Sequence, residues 1–285
     1  MRKIAILIGA YENPDYLDAL VNKMIHPRVN IYIHINKYNY NDFVDMFSRY
    51  ENHPSVHMYS ECAVKWGGHS LIMSQFYLVK KALQDDENYY FHFITGADIL
   101  VRPIEELIEF CDNNNQKNFL QVWNVTDKYW SLRYLCYNFY DIFDVRSNKF
   151  NFYLVKGIAR LQYTMHLWRK KWPFKELKRG SGWWSLNRDA LEYLYSSLMS
   201  KDIKKLWMYT HAPDETIYQC ILYNSAFKDS LTGDNLCYLR WTGQPSPKTL
   251  TMDDWGDIQK SKQFFARKVH PIQSKELINT VFSII

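Results

Sequence analysis

The chain has 285 residues, of which 47% are apolar and 23% are charged, and its formal net charge is +5. This composition excludes a disordered or fibrous chain, and the small positive excess does not by itself indicate a nucleic-acid-binding protein. The five cysteines are scattered and form no CxxC pair, which argues against a disulfide framework or a structural zinc site and favours a reducing compartment.

The first 123 residues alternate between strand-like and helix-like patterns. Strands are predicted at residues 4–8, 31–35, 56–59, 89–94 and 119–123. Helices are predicted at residues 14–24, at 71–83 with Ser70 as the cap, and from Pro103 to 110. We interpret the apolar run at 1–10 as a first buried strand rather than a signal peptide. This alternation predicts a mixed α/β fold with a mostly parallel central sheet flanked by helices, in which ligands bind beyond the carboxyl ends of the strands.

The second half of the chain begins with a segment of different character, residues 124–179. It is rich in Tyr, Trp and Phe, and residues 156–179 carry eight Lys and Arg side chains against the single acid Glu176. A helix with partial amphipathic spacing is predicted at 160–172. A solvated cationic face fits this pattern, and so does contact with a membrane surface or with an anionic acceptor.

Beyond that segment, residues 180–186 are predicted to be a turn that enters a strand, and helices are predicted at 189–199 and 215–223. The part from residue 239 onward is predicted to be loop-rich. No run approaches the about 20 apolar residues that a membrane-spanning helix needs. We therefore expect a cytoplasmic protein, with peripheral contact to the inner face of the membrane as an option.

Two neighbouring acids, Asp214 and Glu215, follow Pro213 at the start of the predicted helix 215–223. Ordinary helix capping accounts for such a pair. The functional interpretation makes one of them a general base that takes a proton from an acceptor hydroxyl, which inverting sugar transfer requires.

Two adjacent cations, Arg267 and Lys268, follow an apolar stretch near the C-terminus. They fit a strand end with cations that reach solvent, and they equally fit a clamp for the diphosphate of a leaving nucleotide. Such a clamp makes a divalent metal dispensable. The alternative is a metal-dependent enzyme that uses the isolated Asp98. His34 and His69 have no partner at ligand spacing and are interpreted as structural.

Taken together, six short segments resemble the core-2/I-branching family of β-1,6-N-acetylglucosaminyltransferases, which includes the peptide O-xylosyltransferases. They occur in the order of that family and are 64–70 (VKWGGHS), 93–98 (FITGAD), 180–186 (GSGWWSL), 213–215 (PDE), 246–249 (SPKT) and 265–268 (FARK).

This resemblance implies a single GT-A-type catalytic domain over 1–285, with a nucleotide-sugar-binding half (1–123) and an acceptor-binding half (124–285). It implies a UDP-sugar donor, GlcNAc by default, a glycan or glycolipid acceptor, inversion and no metal or other cofactor. Glu215 matches the catalytic base, and Lys268 with Arg267 matches the diphosphate site. The donor region is expected at Tyr11, Asn36, Trp66, Gly67 and Asp98, and the acceptor region at Trp130, Trp183, Trp184 and Asp214.

The chain also departs from the family pattern. Tyr11 and Asn36 stand where members often have His and Asp, and the second diphosphate arginine is not matched, so that Lys248 or Arg240 is the candidate substitute. The cysteine set and signal anchor of animal members are also not matched. We therefore expect a bacterial relative that acts in surface polysaccharide or glycolipid assembly. The alternative function is a non-catalytic protein that binds carbohydrate or a membrane surface.

Overall fold

The computed structural model describes residues 1–126, 128–169, 172–243 and 246–285, and for Lys128, Tyr129 and Ser131 it describes the backbone alone. Lys170 and Lys171 of the predicted basic stretch lie outside the described residues. The strands are β1 (Lys3–Ala10), β2 (Val29–Ile35), β3 (Val56–Tyr59), β4 (Asn88–Thr95), β5 (Asp98–Leu100), β6 (Phe119–Leu120), β7 (Trp123–Asn124), β8 (Lys178–Arg179), β9 (Trp184–Asn187), β10 (Cys237–Leu239) and β11 (Phe265–Arg267).

Helices cover both faces of the main sheet. They are α1 (Pro14–Asn22), α2 (Val44–Tyr50), α3 (Ser70–Leu83), α4 (Ile104–Asn113), α5 (Lys128–Leu135), α6 (Lys149–Thr164), α7 (Arg188–Met199), α8 (Lys201–Trp207), α9 (Ile217–Tyr223), α10 (Trp255–Ser261) and α11 (Lys275–Ile284).

The central sheet has six strands in the order β3-β2-β1-β4-β9-β6. The first four are parallel to one another, whereas β9 is antiparallel to both β4 and β6. Successive side chains of β1 point to opposite faces, so Ile4, Ile6 and Ile8 enter one core while Ala5 and Leu7 enter the other. The predicted mixed α/β fold is confirmed. A second sheet, β10-β11-β5, lies at the carboxyl end of β4.

Strands β1 to β4 occur where the sequence predicts them. The signal is clearest for β1, β2 and β4, because both faces of these three strands are buried and their apolar runs are nearly continuous. The predicted strand at 119–123 is instead two short strands, β6 and β7, with different partners. The part after residue 239, predicted as loop-rich, contains α10, β11 and α11.

The cap predicted for α3 is wrong. Ser70 is the first helical residue, and the carboxylate of Asp141 accepts hydrogen bonds from the backbone N–H groups of His69 and Ser70. Asp141 also pairs with the His69 ring, Nδ1 to Oδ2, at 2.7 Å. A side chain at Gly68 would overlap this carboxylate, so glycine is needed there for close approach. The cap comes from a residue 71 positions away, which local sequence cannot reveal.

Two further predicted helices are displaced. The amphipathic helix expected at 160–172 is α6, which begins after the Asn148 side chain accepts from Phe150 N at 2.8 Å and ends before His166, whose φ of 57° is left-handed. The helix expected at 215–223 starts at Ile217, because a 3₁₀ turn over Pro213–Glu215 precedes it.

Candidate active site

The carboxyl ends of β1 and β2 hold the first two residues predicted for the donor region. Tyr11 follows β1 and is exposed. Asn36 follows β2, and its amide binds the backbone of Val64 in both directions: Nδ2 donates to Val64 O and Oδ1 accepts from Val64 N, each at 3.0 Å. Asn36 thus fixes the loop before α3 against the end of the parallel strands.

That loop continues to Trp66 and Gly67, which contact residues from the second half of the chain. The partly exposed Trp66 ring meets the rings of His211 and Tyr140 edge-on at 5.6 and 6.3 Å, and those two rings stack at 4.1 Å. Gly67 O accepts from Ala212 N at 2.8 Å. The donor-side loop and the segment before Pro213 therefore form one wall. Burial, with smaller contributions from nearby cations, lowers the pKa of His211 well below its ordinary value, which leaves the ring neutral.

Asp98 is a fully buried acid that three donors bind. Its carboxylate accepts from Thr95 N at 2.6 Å, from Trp183 Nε1 at 2.8 Å and from Arg267 Nη1 at 2.8 Å. The Arg267 guanidinium lies 4.2 Å over the Trp183 ring and also donates to the Thr95 hydroxyl. Arg267 is therefore held rigidly at the carboxyl end of β4, between an acid and an aromatic face.

A four-residue loop, 180–183, connects this centre with the predicted base. At one end Trp183 binds Asp98, and at the other Gly180 N donates to Glu215 O at 2.9 Å. Three residue steps span at most about 10 Å. The loop therefore brings the Glu215 backbone close to the Asp98–Arg267 pair, and the region between them is called the cleft below.

Glu215 is presented to this cleft by an arginine from α5. Its Oε2 accepts from Arg133 Nη1 at 2.6 Å, and the side chains of Glu215 and Arg133 are 36% and 9% exposed. The Arg133 guanidinium lies 3.9 Å over the ring of Trp130. The Glu215 carboxylate is thus partly accessible to solvent and is oriented by Arg133, as a general base needs to be. Trp130 lies in the same wall, where the sequence predicts acceptor contact.

Asp214 differs from its neighbour in that its carboxyl is turned inward. Oδ1 is buried without a hydrogen-bond partner among the described residues, so Asp214 is not the helix cap that its position suggests. A Cβ at Gly182 would lie 2.5 Å from Oδ2, so only glycine permits this approach. Burial and, to a smaller extent, the charge of Glu215 raise the pKa of Asp214 to about 7. Two adjacent acids therefore have different environments, which is how acid and base roles are separated.

The remaining cations lie at the same end of the second sheet. Lys268 follows β11, and its neighbour Val269 donates its N–H to Ala97 O at 2.9 Å. Among the described residues no acid lies within 4.0 Å of the Lys268 ammonium. Lys248 and Arg240, the two candidate substitutes, both bind the buried Asp254, at 2.8 and 2.7 Å. Of these three cations, Lys268 is thus the one without an acidic partner among the described residues, and it is called the uncompensated cation below.

Trp184 requires a correction. The predicted acceptor contact is wrong because Trp184 is the first residue of β9, is 2% exposed and stacks on Phe93 at 5.8 Å in the core. The adjacent Trp183 is still in the loop and lines the cleft. Sequence reasoning also missed Arg133 and Thr95. Thr95 could have been found from the sequence, because it lies inside the FITGAD segment. No motif or spacing in the sequence indicates Arg133.

In the parts of the chain that the structure covers, no three His, Cys, Asp or Glu side chains are grouped as a metal site would require. No helix in those parts combines the length and the hydropathy needed to cross a bilayer.

The chain is 25% identical over 292 residues to xylosyltransferase 2 of Rattus norvegicus, an alignment covering 92% of this chain and 31% of that protein. It is 25% identical over 284 residues to xylosyltransferase 1 of Mus musculus, covering 88% and 27%. The chain thus spans less than a third of the length of these two relatives.

Among solved structures, 4-diphosphocytidyl-2C-methyl-D-erythritol synthase from Anaerococcus prevotii DSM 20548 aligns with a TM-score of 0.36 and 10% identity, over 72% of this chain and 81% of that one. That likeness is too weak to carry an argument. The family model for the Core-2/I-Branching enzyme, in contrast, matches residues 5–263. It confirms the family resemblance, with five of the six segments inside the matched range and 265–268 beyond it, and it favours an enzyme over a non-catalytic binding protein. The chain belongs to the core-2/I-branching enzyme family.

Proposed function

We propose that this chain is an inverting GT-A-type glycosyltransferase that moves a sugar from a UDP-sugar to a hydroxyl of a glycan acceptor without a metal ion. One observation carries the proposal: the 180–183 loop joins an accessible, arginine-held carboxylate, Glu215, to a fixed guanidinium, Arg267, next to the uncompensated Lys268. Base and leaving-group site are thereby presented to one cleft.

In the proposed reaction Glu215 accepts the proton of the acceptor hydroxyl. The acceptor oxygen forms a bond to the anomeric carbon as the bond from that carbon to the phosphate oxygen breaks, and UDP departs with the electron pair. Arg267 uses Nη1 for Thr95 and Asp98, and no described residue accepts a hydrogen bond from its Nη2. Nη2 and the Lys268 ammonium are the groups that face the developing charge of the diphosphate.

The proposal of metal independence rests on how Asp98 is used. Its carboxylate already accepts three N–H donors, one of them from the Arg267 guanidinium. A divalent cation at Asp98 would lie beside that guanidinium, and like charges at such a distance repel strongly in a buried site. Asp98 therefore acts on the leaving group through Arg267, which it orients.

GlcNAc is the favoured donor sugar because it is the sugar transferred by the transferases that give the family its name. The two relatives aligned above are named xylosyltransferases, so UDP-xylose belongs in the first donor panel beside UDP-GlcNAc. A role in bacterial surface polysaccharide or glycolipid assembly belongs to the same proposal.

The first test is UDP release from a panel of UDP-sugars with EDTA present throughout. We expect turnover, with or without acceptor, that added Mn²⁺ does not increase. If no UDP is released in EDTA and Mn²⁺ restores the activity, the metal-free mechanism is wrong and Asp98 becomes the candidate metal ligand.

The second test replaces the base. Glu215→Gln keeps the shape of the side chain but cannot accept the proton, so we expect kcat to fall by about 100-fold or more while calorimetry shows unchanged UDP binding. Glu276→Gln on the exposed face of α11 is the matched control. Turnover near that of the control would remove Glu215 from the role of base.

A further inference from the structure

Helix α6 carries two apolar faces, and only one of them is buried by the protein. Val155 and Ala159 pack inward. Phe150, Tyr153 and Leu161 are 67%, 69% and 58% exposed. Their spacing of three and eight residues puts these three side chains on one stripe, on the side of the helix opposite the buried pair.

Three more large apolar side chains are exposed just past the end of the helix. Met165, Leu167 and Trp168 are each about half exposed or more. Soluble proteins rarely expose a contiguous group of large apolar side chains of this kind unless the group contacts something. The surface formed by Phe150, Tyr153, Leu161, Met165, Leu167 and Trp168 is called the α6 stripe below.

Positive charge flanks the α6 stripe. Lys149, Lys156 and Arg160 occupy a row about a quarter turn away from it on the same helix. Residues 145–175 contain eight Lys and Arg and no Asp or Glu. None of the described cations on α6 has an acid within ion-pair distance. The surface is thus apolar in the middle and positive at its border.

We propose that the α6 stripe docks on an anionic lipid bilayer, with its aromatic and aliphatic side chains at the level of the headgroups and its cations beside the lipid phosphates. Basic amphipathic helices bind membranes in this way. A second copy of the chain is a poor occupant, because an isologous contact would place the same cations against each other. A soluble acidic partner would account for the cations but not for the exposed aliphatic and aromatic side chains.

The docking surface lies one helix away from the catalytic wall. On α6 the Gln162 amide pairs with the backbone of Tyr137, with Nε2 donating to the carbonyl and Oε1 accepting from the N–H, both at 2.9 Å. The preceding helix α5 carries Arg133, which binds Glu215. A helix is about 10 Å across. Docking through the α6 stripe therefore holds the Glu215 side of the cleft close to the lipid headgroups.

The test is co-sedimentation of the whole chain with vesicles of phosphatidylcholine, with and without one third phosphatidylglycerol. We expect binding to the anionic vesicles at low salt. The triple variant Phe150→Ser, Tyr153→Ser, Leu161→Ser should lower the partition coefficient by about tenfold or more, since each large side chain that leaves the interface loses apolar burial. Ile272→Ser is the control, because Ile272 is even more exposed but lies before α11; this variant should bind as the unmodified chain does.

Two results would overturn the proposal. One is the absence of binding to anionic vesicles at low salt, where electrostatic attraction is strongest. The other is binding that the triple variant retains in full, which would indicate a purely electrostatic attraction and leave the α6 stripe to a protein partner. Sedimentation velocity without lipid adds a third arm: a dimer that the triple variant dissociates would assign the stripe to a second copy.

These outcomes are independent of the proposed chemistry. UDP release from soluble UDP-GlcNAc should be the same for the triple variant and the unmodified chain, because the α6 stripe does not line the cleft. Loss of vesicle binding with unchanged UDP release supports docking, whereas an enzyme inactive toward every donor but still bound to vesicles would refute the proposed function alone.

Discussion

Raising the pH from about 4 to about 7 should destabilise this protein through one carboxyl group, that of Asp214. Burial and the neighbouring Glu215 raise its pKa to about 7 in the folded chain, whereas an unfolded chain titrates Asp near 4. Between these values the folded state binds the proton that the unfolded state has released. The stabilisation is therefore complete below pH 4 and is lost as the pH rises through 7.

The size of the effect follows from the distance between the two pKa values. About three pH units at 1.36 kcal/mol each correspond to about 4 kcal/mol as an upper figure, because Asp214 and Glu215 titrate as a pair. For a chain of this size 1 kcal/mol shifts the melting temperature by roughly 2 °C, so the full effect is roughly 8 °C. Asp214→Asn removes the titration but keeps the shape of the side chain.

The assay is thermal unfolding of the unmodified chain and of Asp214→Asn from pH 4 to pH 9. The difference in melting temperature between the two should change in favour of the variant as the pH rises from about 4 to about 7, and it should level off above pH 7. The constant offset is not diagnostic, because an asparagine amide in the same buried position lacks a partner at every pH. In Glu215→Gln the midpoint should move to lower pH, since the neighbouring charge is gone. A melting-temperature difference that stays flat from pH 4 to pH 9 would refute the inward-facing, neutral Asp214.

Three further substitutions test the rest of the site. Arg133→Met removes the group that orients the base, so kcat should fall by about 10- to 100-fold. The dissociation constant of UDP, measured by calorimetry, should stay unchanged. A loss of UDP binding in this variant would contradict a role confined to the base. Gly182→Ala puts a Cβ 2.5 Å from Asp214 Oδ2. The variant should lower the free energy of unfolding, measured by urea titration, by about 1–3 kcal/mol. An unchanged urea midpoint would mean that the loop can move aside. Lys268→Ala should weaken UDP binding by about tenfold in low salt and less in high salt; equal UDP affinity would remove Lys268 from the diphosphate site.

The parallel core was predictable from the sequence because its signals are local. Strands β1, β2 and β4 are buried on both faces and therefore read as apolar runs between polar turns. The family segments added residue types that spacing alone left ambiguous, such as Asp98 and Glu215. Glu215 lies at the cleft and Asp98 is buried beside it, and their chemical roles remain predictions.

The features that the sequence did not reveal depend on contacts between residues that are far apart in the chain. Arg133 and Glu215 are 82 residues apart, and their pairing exists only once α5 packs against the 3₁₀ turn. The two tryptophans at 183 and 184 are neighbours with opposite environments, since β9 begins between them and turns the second into the core. No composition or spacing rule distinguishes two such residues before the strand boundary is known.

The way Arg267 is held explains why an acid belongs in a leaving-group site. A free arginine would lose rotamer freedom on binding a diphosphate, and that loss weakens the interaction. Here Asp98, Thr95 and the Trp183 ring fix the guanidinium beforehand and occupy only one of its terminal nitrogens. The Asp98 carboxylate is itself satisfied by a backbone N–H and an indole N–H, so it need not be released when the phosphate arrives. Because the same indole belongs to the loop that binds the Glu215 backbone, the donor and acceptor sides of the cleft are held by one short segment.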